Sequence, residues 1–255
     1  MEAMTRRAHL RPRAPLLALV FVGLGFLLGS VRPMLVRPPL VVGQDAAYPG
    51  ARARATLVSG REPYLDIRPV GRAAGTLLIL YPGGLVRPQA YEWLGTALAG
   101  RGVQTVIPVF PLDLAVTSPN RADGLIARLG AGRRVYLAGH SLGGAMAAGY
   151  AARHASELSG LILMGAYPAQ DVSLRGSGLR VLSLLAGRDG VASPGEVRGG
   201  LERLPPETRL TVLPGAVHAF FGRYGPQRGD GQPTVTRAET EAQIVRAVGE
   251  FIGGP

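Results

Sequence analysis

From residue 55 onward the chain alternates between two hydrophobic periods. Residues 75–80 (GTLLIL), 103–107, 135–138, 161–164, 179–185 and 210–213 are short, mostly apolar runs of the kind that form strands buried on both faces. Between them lie stretches with apolar residues at helical spacing. Residues 88–99 place Tyr91, Leu94 and Leu98 on one face, with Gly100 as a stop. Asn120 stands as the N-cap of a helix carrying Ala122, Leu125, Ile126 and Leu129, and residues 144–155 form a small, Ala-rich helix. Ser193 with Glu196, and Thr236 with Glu239, spell capping boxes. The second box opens a terminal helix whose buried stripe is Ile244, Val245, Val248 and Ile252. Residues 55–58 and 64–69 read as an edge hairpin around Ser59-Gly60. Strands alternating with helices predict an α/β domain over 55–255, with a mostly parallel sheet, helices on both faces and one antiparallel edge. The stretch between Met164 and Leu179 is too short for a sizeable lid.

The N-terminal pattern is different. Residues 14–31 (APLLALVFVGLGFLLGSV) carry no charge and are apolar on all faces. At about 1.5 Å per residue this just spans a hydrocarbon core of about 30 Å. Residues 1–13 hold Arg6, Arg7, Arg11 and Arg13 against one acid, Glu2, which predicts a cytoplasmic N-terminus and an exported domain. The reading is a transmembrane anchor, with a cleaved signal and a secreted domain as the alternative; no A-x-A site stands nearby. Residues 32–54 are rich in Pro and Arg and read as a linker.

The net charge of +11 comes entirely from arginine, since the 28 basic residues include no lysine. With the excess of Ala, Gly and Pro, this is the mark of GC-rich coding rather than of a nucleic-acid partner. No dense basic run with interleaved aromatics occurs in the domain. The chain has no cysteine, which excludes disulfides, thiolate metal sites and a cysteine nucleophile. The single tryptophan, Trp93, falls in a helix and reads as packing.

Candidate chemistry centres on Gly139-His140-Ser141-Leu142-Gly143, between a buried run and an Ala-rich helix. A strand, a sharp turn and a helix with serine at the apex is the context that G-x-S-x-G requires. A serine nucleophile needs a base, and the base needs an orienting acid. Of four histidines, His9 precedes the apolar segment, His140 lies inside the turn with its side chain expected to face away from the apex, and His154 sits about three turns down the helix. His218, after the last strand, remains. The acid belongs at the end of a strand between Ser141 and His218; Asp189 fits, with Asp171 as the alternative. The N–H of Leu142 supplies one oxyanion donor, and the Pro82-Gly83-Gly84 loop supplies the other, at Gly84 or alternatively Leu85. Phe220, Phe221 and Tyr224 are either walls of an apolar acyl pocket or packing for their loop.

Gly-His-Ser-Leu-Gly-Gly after a strand, Ala-Gly-Arg-Asp-Gly later and a histidine after the last strand resemble the α/β-hydrolase superfamily. Tyr81-Pro82-Gly83-Gly84, Pro119-Asn120-Arg121-Ala122-Asp123 and the tail Phe221-Gly222-Arg223-Tyr224-Gly225-Pro226-Gln227 resemble its compact, lidless fold-5 family, over about 55–252. The resemblance implies a serine hydrolase with Ser141, Asp189 and His218 as triad and no metal or cofactor. One departure is apparent: that family usually has polar residues where Val217 and Phe220 stand, which implies a shift toward apolar substrates if those positions touch substrate. The expected function is cleavage of a small ester or related acyl compound. The alternative is a catalytically silent domain of the same fold, binding a partner at the cell surface.

Overall fold

The computed structural model describes residues 13–31, 37–41 and 52–254. The chain divides into two units, Met1–Arg37 and Pro38–Pro255. In the first, helix α1 (Arg13–Val31) covers the stretch read as an anchor, with Leu17, Phe21 and Phe26 exposed. Its 19 residues rise about 28 Å. Among the described residues no helix is long and apolar enough to cross a membrane. The basic N-terminus before Arg13 and most of the 32–54 linker lie outside the described residues.

The second unit is built on eight strands: β1 (Ala53–Val58), β2 (Tyr64–Pro69), β3 (Thr76–Tyr81), β4 (Val103–Pro108), β5 (Arg134–His140), β6 (Gly160–Met164), β7 (Val181–Ala186) and β8 (Arg209–Leu213). Their order is β1-β2-β4-β3-β5-β6-β7-β8. The first two contacts are antiparallel, as the edge hairpin predicts, and the remaining five are parallel. Alternation along each strand sorts the core into two layers. Leu78, Leu80, Tyr136 and Ala138 face α2 (Glu92–Ala99) and the terminal helix, α6 (Arg237–Gly253). Leu77, Ile79, Val135 and Leu137 face α3 (Arg121–Leu129) and α4 (Leu142–Arg153). Trp93 is fully buried in the first layer. The short helix α5 (Pro194–Gly200) follows β7.

Both capping boxes form as spelled, at Ser193 and at Thr236. Asn120 stands at the N-cap position of α3 as expected, but its side chain makes no capping bond. Its Oδ1 instead accepts from Arg153 Nη2 at 2.8 Å, because a guanidinium outcompetes a backbone N–H for that oxygen. Residues 88–91 form a 3₁₀ turn before α2, led by Pro88, whose fixed φ suits a first helical position. No helix stands between Met164 and Val181, so the edge of the sheet there carries no lid.

Part of the stretch read as linker joins the domain. Val41 N–H donates to Arg223 O at 3.1 Å, Gly225 N–H donates to Pro39 O at 3.1 Å, and Leu40 pairs with Tyr224 between them. Extended, proline-bearing backbone suits this edge pairing because it needs few donors.

Candidate active site

The loops that follow β3, β5, β6, β7 and β8 meet at one edge of the sheet, outside the carboxyl ends of the parallel strands. Ser141 closes β5 and opens α4 with φ 52° and ψ −125°, a strained conformation for a residue with a side chain. The flanking glycines are compulsory. A Cβ on Gly143 would overlap the carbonyl oxygens of Tyr81 and Pro82, and one on Gly139 would lie 2.6 Å from the Cα of Gly144. The Ser141 N–H donates to Met164 O at 3.1 Å, tying the turn to the neighbouring strand.

The loop after β3 lies against the start of α4: a Cβ on Gly84 would sit 3.3 Å from Leu142 Cδ2. Gly83 N–H donates to Tyr91 Oη at 2.9 Å and Leu85 N–H donates to Asp113 O at 2.8 Å. The N–H of Leu85 is thus already engaged. Among the described residues no hydrogen bond takes up the N–H of Gly84 or of Leu142. Leu142 is the first residue of α4, where the helix dipole adds positive potential.

His218 is fully buried in a 3₁₀ turn after β8 (His218–Phe221). Its Nδ1 lies 2.8 Å from Asp189 Oδ2. Asp189 Oδ1 accepts from the N–H groups of Val191 and Ala192 at 2.9 and 2.7 Å, so both carboxylate oxygens are engaged. Nε2 of His218 is buried with no hydrogen-bond partner among the described residues. Asp171, the alternative acid, is exposed after β6, and the hydrogen bond to His218 Nδ1 is made by Asp189 instead.

His140, inside the serine turn, sits in a buried network. Its Nδ1 is 2.8 Å from Tyr91 Oη, and its ring centroid is 4.5 Å from that of His218. Burial pushes the pKa of Tyr91 up, so the phenol keeps its proton. Having accepted from Gly83, it donates to Nδ1, which leaves the His140 proton on Nε2. Burial first, and the neighbouring His218 ring second, hold the pKa of His140 well below its usual value.

Sequence reasoning does not find Tyr91, Gly165 or Asp230. Tyr91 reads as one apolar position of a helix. Gly165 (φ 50°) packs behind the acid–base pair: a Cβ there would lie 3.1 Å from Asp189 Oδ2 and 3.2 Å from His218 Nδ1. Its position directly after β6 is the only local signal. Asp230 Oδ1 accepts from His218 N–H at 3.0 Å and its Oδ2 from Ala219 N–H at 2.8 Å.

A cavity of about 310 Å³ opens beside Ser141, lined by Leu142, Ala145, Gly165, Tyr167, Val191 and neighbouring alanines. No charged side chain faces it. Phe221 and Tyr224, read as candidate pocket walls, are instead fully buried beneath His140, with ring centroids 5.3 and 6.1 Å away. Phe220 is half-buried under the Arg237 guanidinium, 4.5 Å from its centroid, and Val217 is buried. None of these, nor Leu85, lines the cavity. Among the described residues no cluster of three or more His, Cys, Asp or Glu could hold a metal ion.

The strand order, the strained serine turn and the buried acid–histidine pair define a hydrolase-type α/β domain. The sequence matches the alpha/beta hydrolase family over residues 77–242, and the chain belongs to that family. Solved structures share the fold. A CIB-like hydrolase from Thermoplasma acidophilum superposes with a TM-score of 0.58 at 15% identity, covering 79% of this chain and 98% of the other. A serine hydrolase without a lid from Xanthomonas campestris gives 0.54 at 16% identity, covering 82% and 99%. An alpha/beta hydrolase from a lagoon-sediment metagenome gives 0.53 at 15% identity, covering 65% and 90%. No curated protein matches the sequence.

Proposed function

We propose that the protein is a serine hydrolase that cleaves small, uncharged esters or related acyl compounds through Ser141, His218 and Asp189. The observation that carries this reading is the buried His218–Asp189 pair, 2.8 Å apart, whose Nε2 has no hydrogen-bond partner among the described residues, on a loop at the same edge of the sheet as the strained Ser141 turn. Ser141 Oγ attacks the carbonyl carbon while His218 Nε2 takes its proton. Asp189 holds the imidazole by Nδ1 and stabilises the imidazolium. The tetrahedral oxyanion sits between the N–H groups of Leu142 and Gly84. Collapse expels the alcohol, which takes the proton from Nε2. Water then cleaves the acyl-enzyme by the same steps in reverse.

The cavity supports the substrate class. Its volume stands at the lower end of the roughly 300–1,000 Å³ of ligand pockets, and its walls offer no charge to pair with a charged substituent. We further propose that residues 14–31 hold the domain at a membrane, outside the cytoplasm, by the basic residues that precede them. Protease accessibility on intact cells, and the mass of the mature chain, test anchoring against secretion after cleavage.

Labelling with a fluorophosphonate, followed by mass spectrometry, tests the chemistry. A stoichiometric adduct on Ser141, lost in His218→Ala, is expected, and Ser141→Ala should lower ester hydrolysis by about 10⁵-fold or more. A folded protein that takes no adduct and cleaves no ester would replace this reading with that of a silent binding domain.

A further inference from the structure

The two loops that carry His218 and Asp189 come from different strands, yet one side chain holds the backbone of both. Asp230 Oδ1 accepts from the N–H of His218 at 3.0 Å, of Gly190 at 3.3 Å and of Gly231 at 2.8 Å. Oδ2 accepts from Ala219 at 2.8 Å. Gly190 is the residue next to Asp189, so the carboxylate bridges the base and the residue beside the acid. The 3₁₀ turn at His218 has no cap from its own N-terminal neighbour, Val217. Asp230 fills that role from twelve residues away.

The backbone around Asp230 is fitted to the same purpose. A Cβ on Gly190 would overlap the carbonyl oxygen of Gly229, and one on Gly231 would overlap that of Arg188. Arg188 N–H in turn donates to Ala216 O at 2.8 Å. Residues 229–231 thus lie directly across both loops. A local turn would need one of these bonds; four on one carboxylate, reaching two other loops, fix a distance.

We propose that Asp230 is a positioning residue that sets His218 against Asp189, and thereby sets Nε2 against Ser141. The inference rests on the serine-hydrolase reading. Its physical basis is geometric: charge-assisted bonds from one carboxylate to the backbone N–H groups of His218, Ala219 and Gly190 hold the two loops at a fixed separation. A displacement of about 1 Å in such a constellation costs on the order of 100-fold in rate.

The test compares Asp230→Asn and Asp230→Glu with the wild-type chain. Asparagine turns one acceptor into a donor facing N–H groups. Glutamate keeps the charge but moves it by one methylene. In Asp230→Asn, kcat should fall about 10- to 100-fold with KM within about threefold, and fluorophosphonate labelling should slow in parallel. Asp230→Glu should fold and lose less. The low-field proton resonance of the His218 Nδ1–H should be present in the wild type and weakened or shifted in both variants, a readout that needs no turnover. A purely structural aspartate would lower the melting temperature while leaving kcat, the labelling rate and that resonance in place, and this result would overturn the proposal. A wild-type chain that neither labels nor hydrolyses would defeat the serine-hydrolase reading itself. An active wild type with equally active variants would defeat only the role of Asp230.

Discussion

The two halves of the candidate site are held by different forces. The serine turn is fixed by exclusion: backbone presses on backbone at Gly139 and Gly143, and no charged side chain takes part. The histidine loop is fixed by charge. Asp230 caps it, Arg237 donates to the carbonyl oxygens of Ala219, Gly222 and Tyr224, and Arg223 forms a two-pronged pair with Glu241 at 2.9 Å. Steric constraint does not titrate and leaves no freedom. Electrostatic constraint can be adjusted, but it depends on every partner being present. A nucleophile must be held in a strained conformation, which favours the first. A base that takes and returns a proton must keep its loop stable while its own charge changes, which favours the second.

This contrast can be broken at four points. The largest effect belongs to Gly143→Ala. With carbonyl oxygens of Tyr81 and Pro82 in the way, the variant should lose about 3 kcal/mol or more, read by urea unfolding, or fail to accumulate folded. Next is Glu241→Gln. Its ion pair with Arg223 is largely buried, so removing one partner should cost about 2 kcal/mol, somewhat below a fully buried pair. A Glu241→Met, Arg223→Met double variant should recover part of that loss. Were the Gln variant neutral, charge would not be what holds the loop.

The third point concerns pH. The unfolded His140 imidazole takes up a proton below about pH 6.5, while the buried one, with its lowered pKa, does not. The unfolded chain then binds more protons. Above about pH 6.5 the stability is fully present; below it, stability falls by about 1.4 kcal/mol per pH unit until the folded pKa is reached. His140→Gln should flatten that slope in unfolding curves taken between about pH 5 and 6.5. The smallest effect is Ser193→Ala. It removes the capping box of α5, just after the Asp189 loop, and should cost about 1 kcal/mol without altering activity.

What could be read in advance was whatever local pattern determines. The strands buried on both faces announce themselves as apolar runs, and both capping boxes are complete within four residues. Ser141, Asp189 and His218 each follow a strand, so position alone brings Asp189 and His218 forward as partners. The N-cap position of Asn120 is local and legible, but the partner of its side chain is not, since Arg153 lies 33 positions away. Phe221 and Tyr224 sit in a loop with no period, and nothing local says that they turn inward. Asp230, within Gly-Asp-Gly, looks like an ordinary turn, since the groups it binds are set by tertiary packing. Residues 38–41 share the proline-rich composition of a linker, yet their hydrogen bonds place them on the domain.

That last feature gives the domain a second hold on its own N-terminal segment. The short pairing of Pro39, Leu40 and Val41 with Arg223 to Gly225 fastens residues 39–41 to the stretch that follows the His218–Phe221 turn. A protease clipping just beyond Val41 would leave that strap joined to the domain by hydrogen bonds alone.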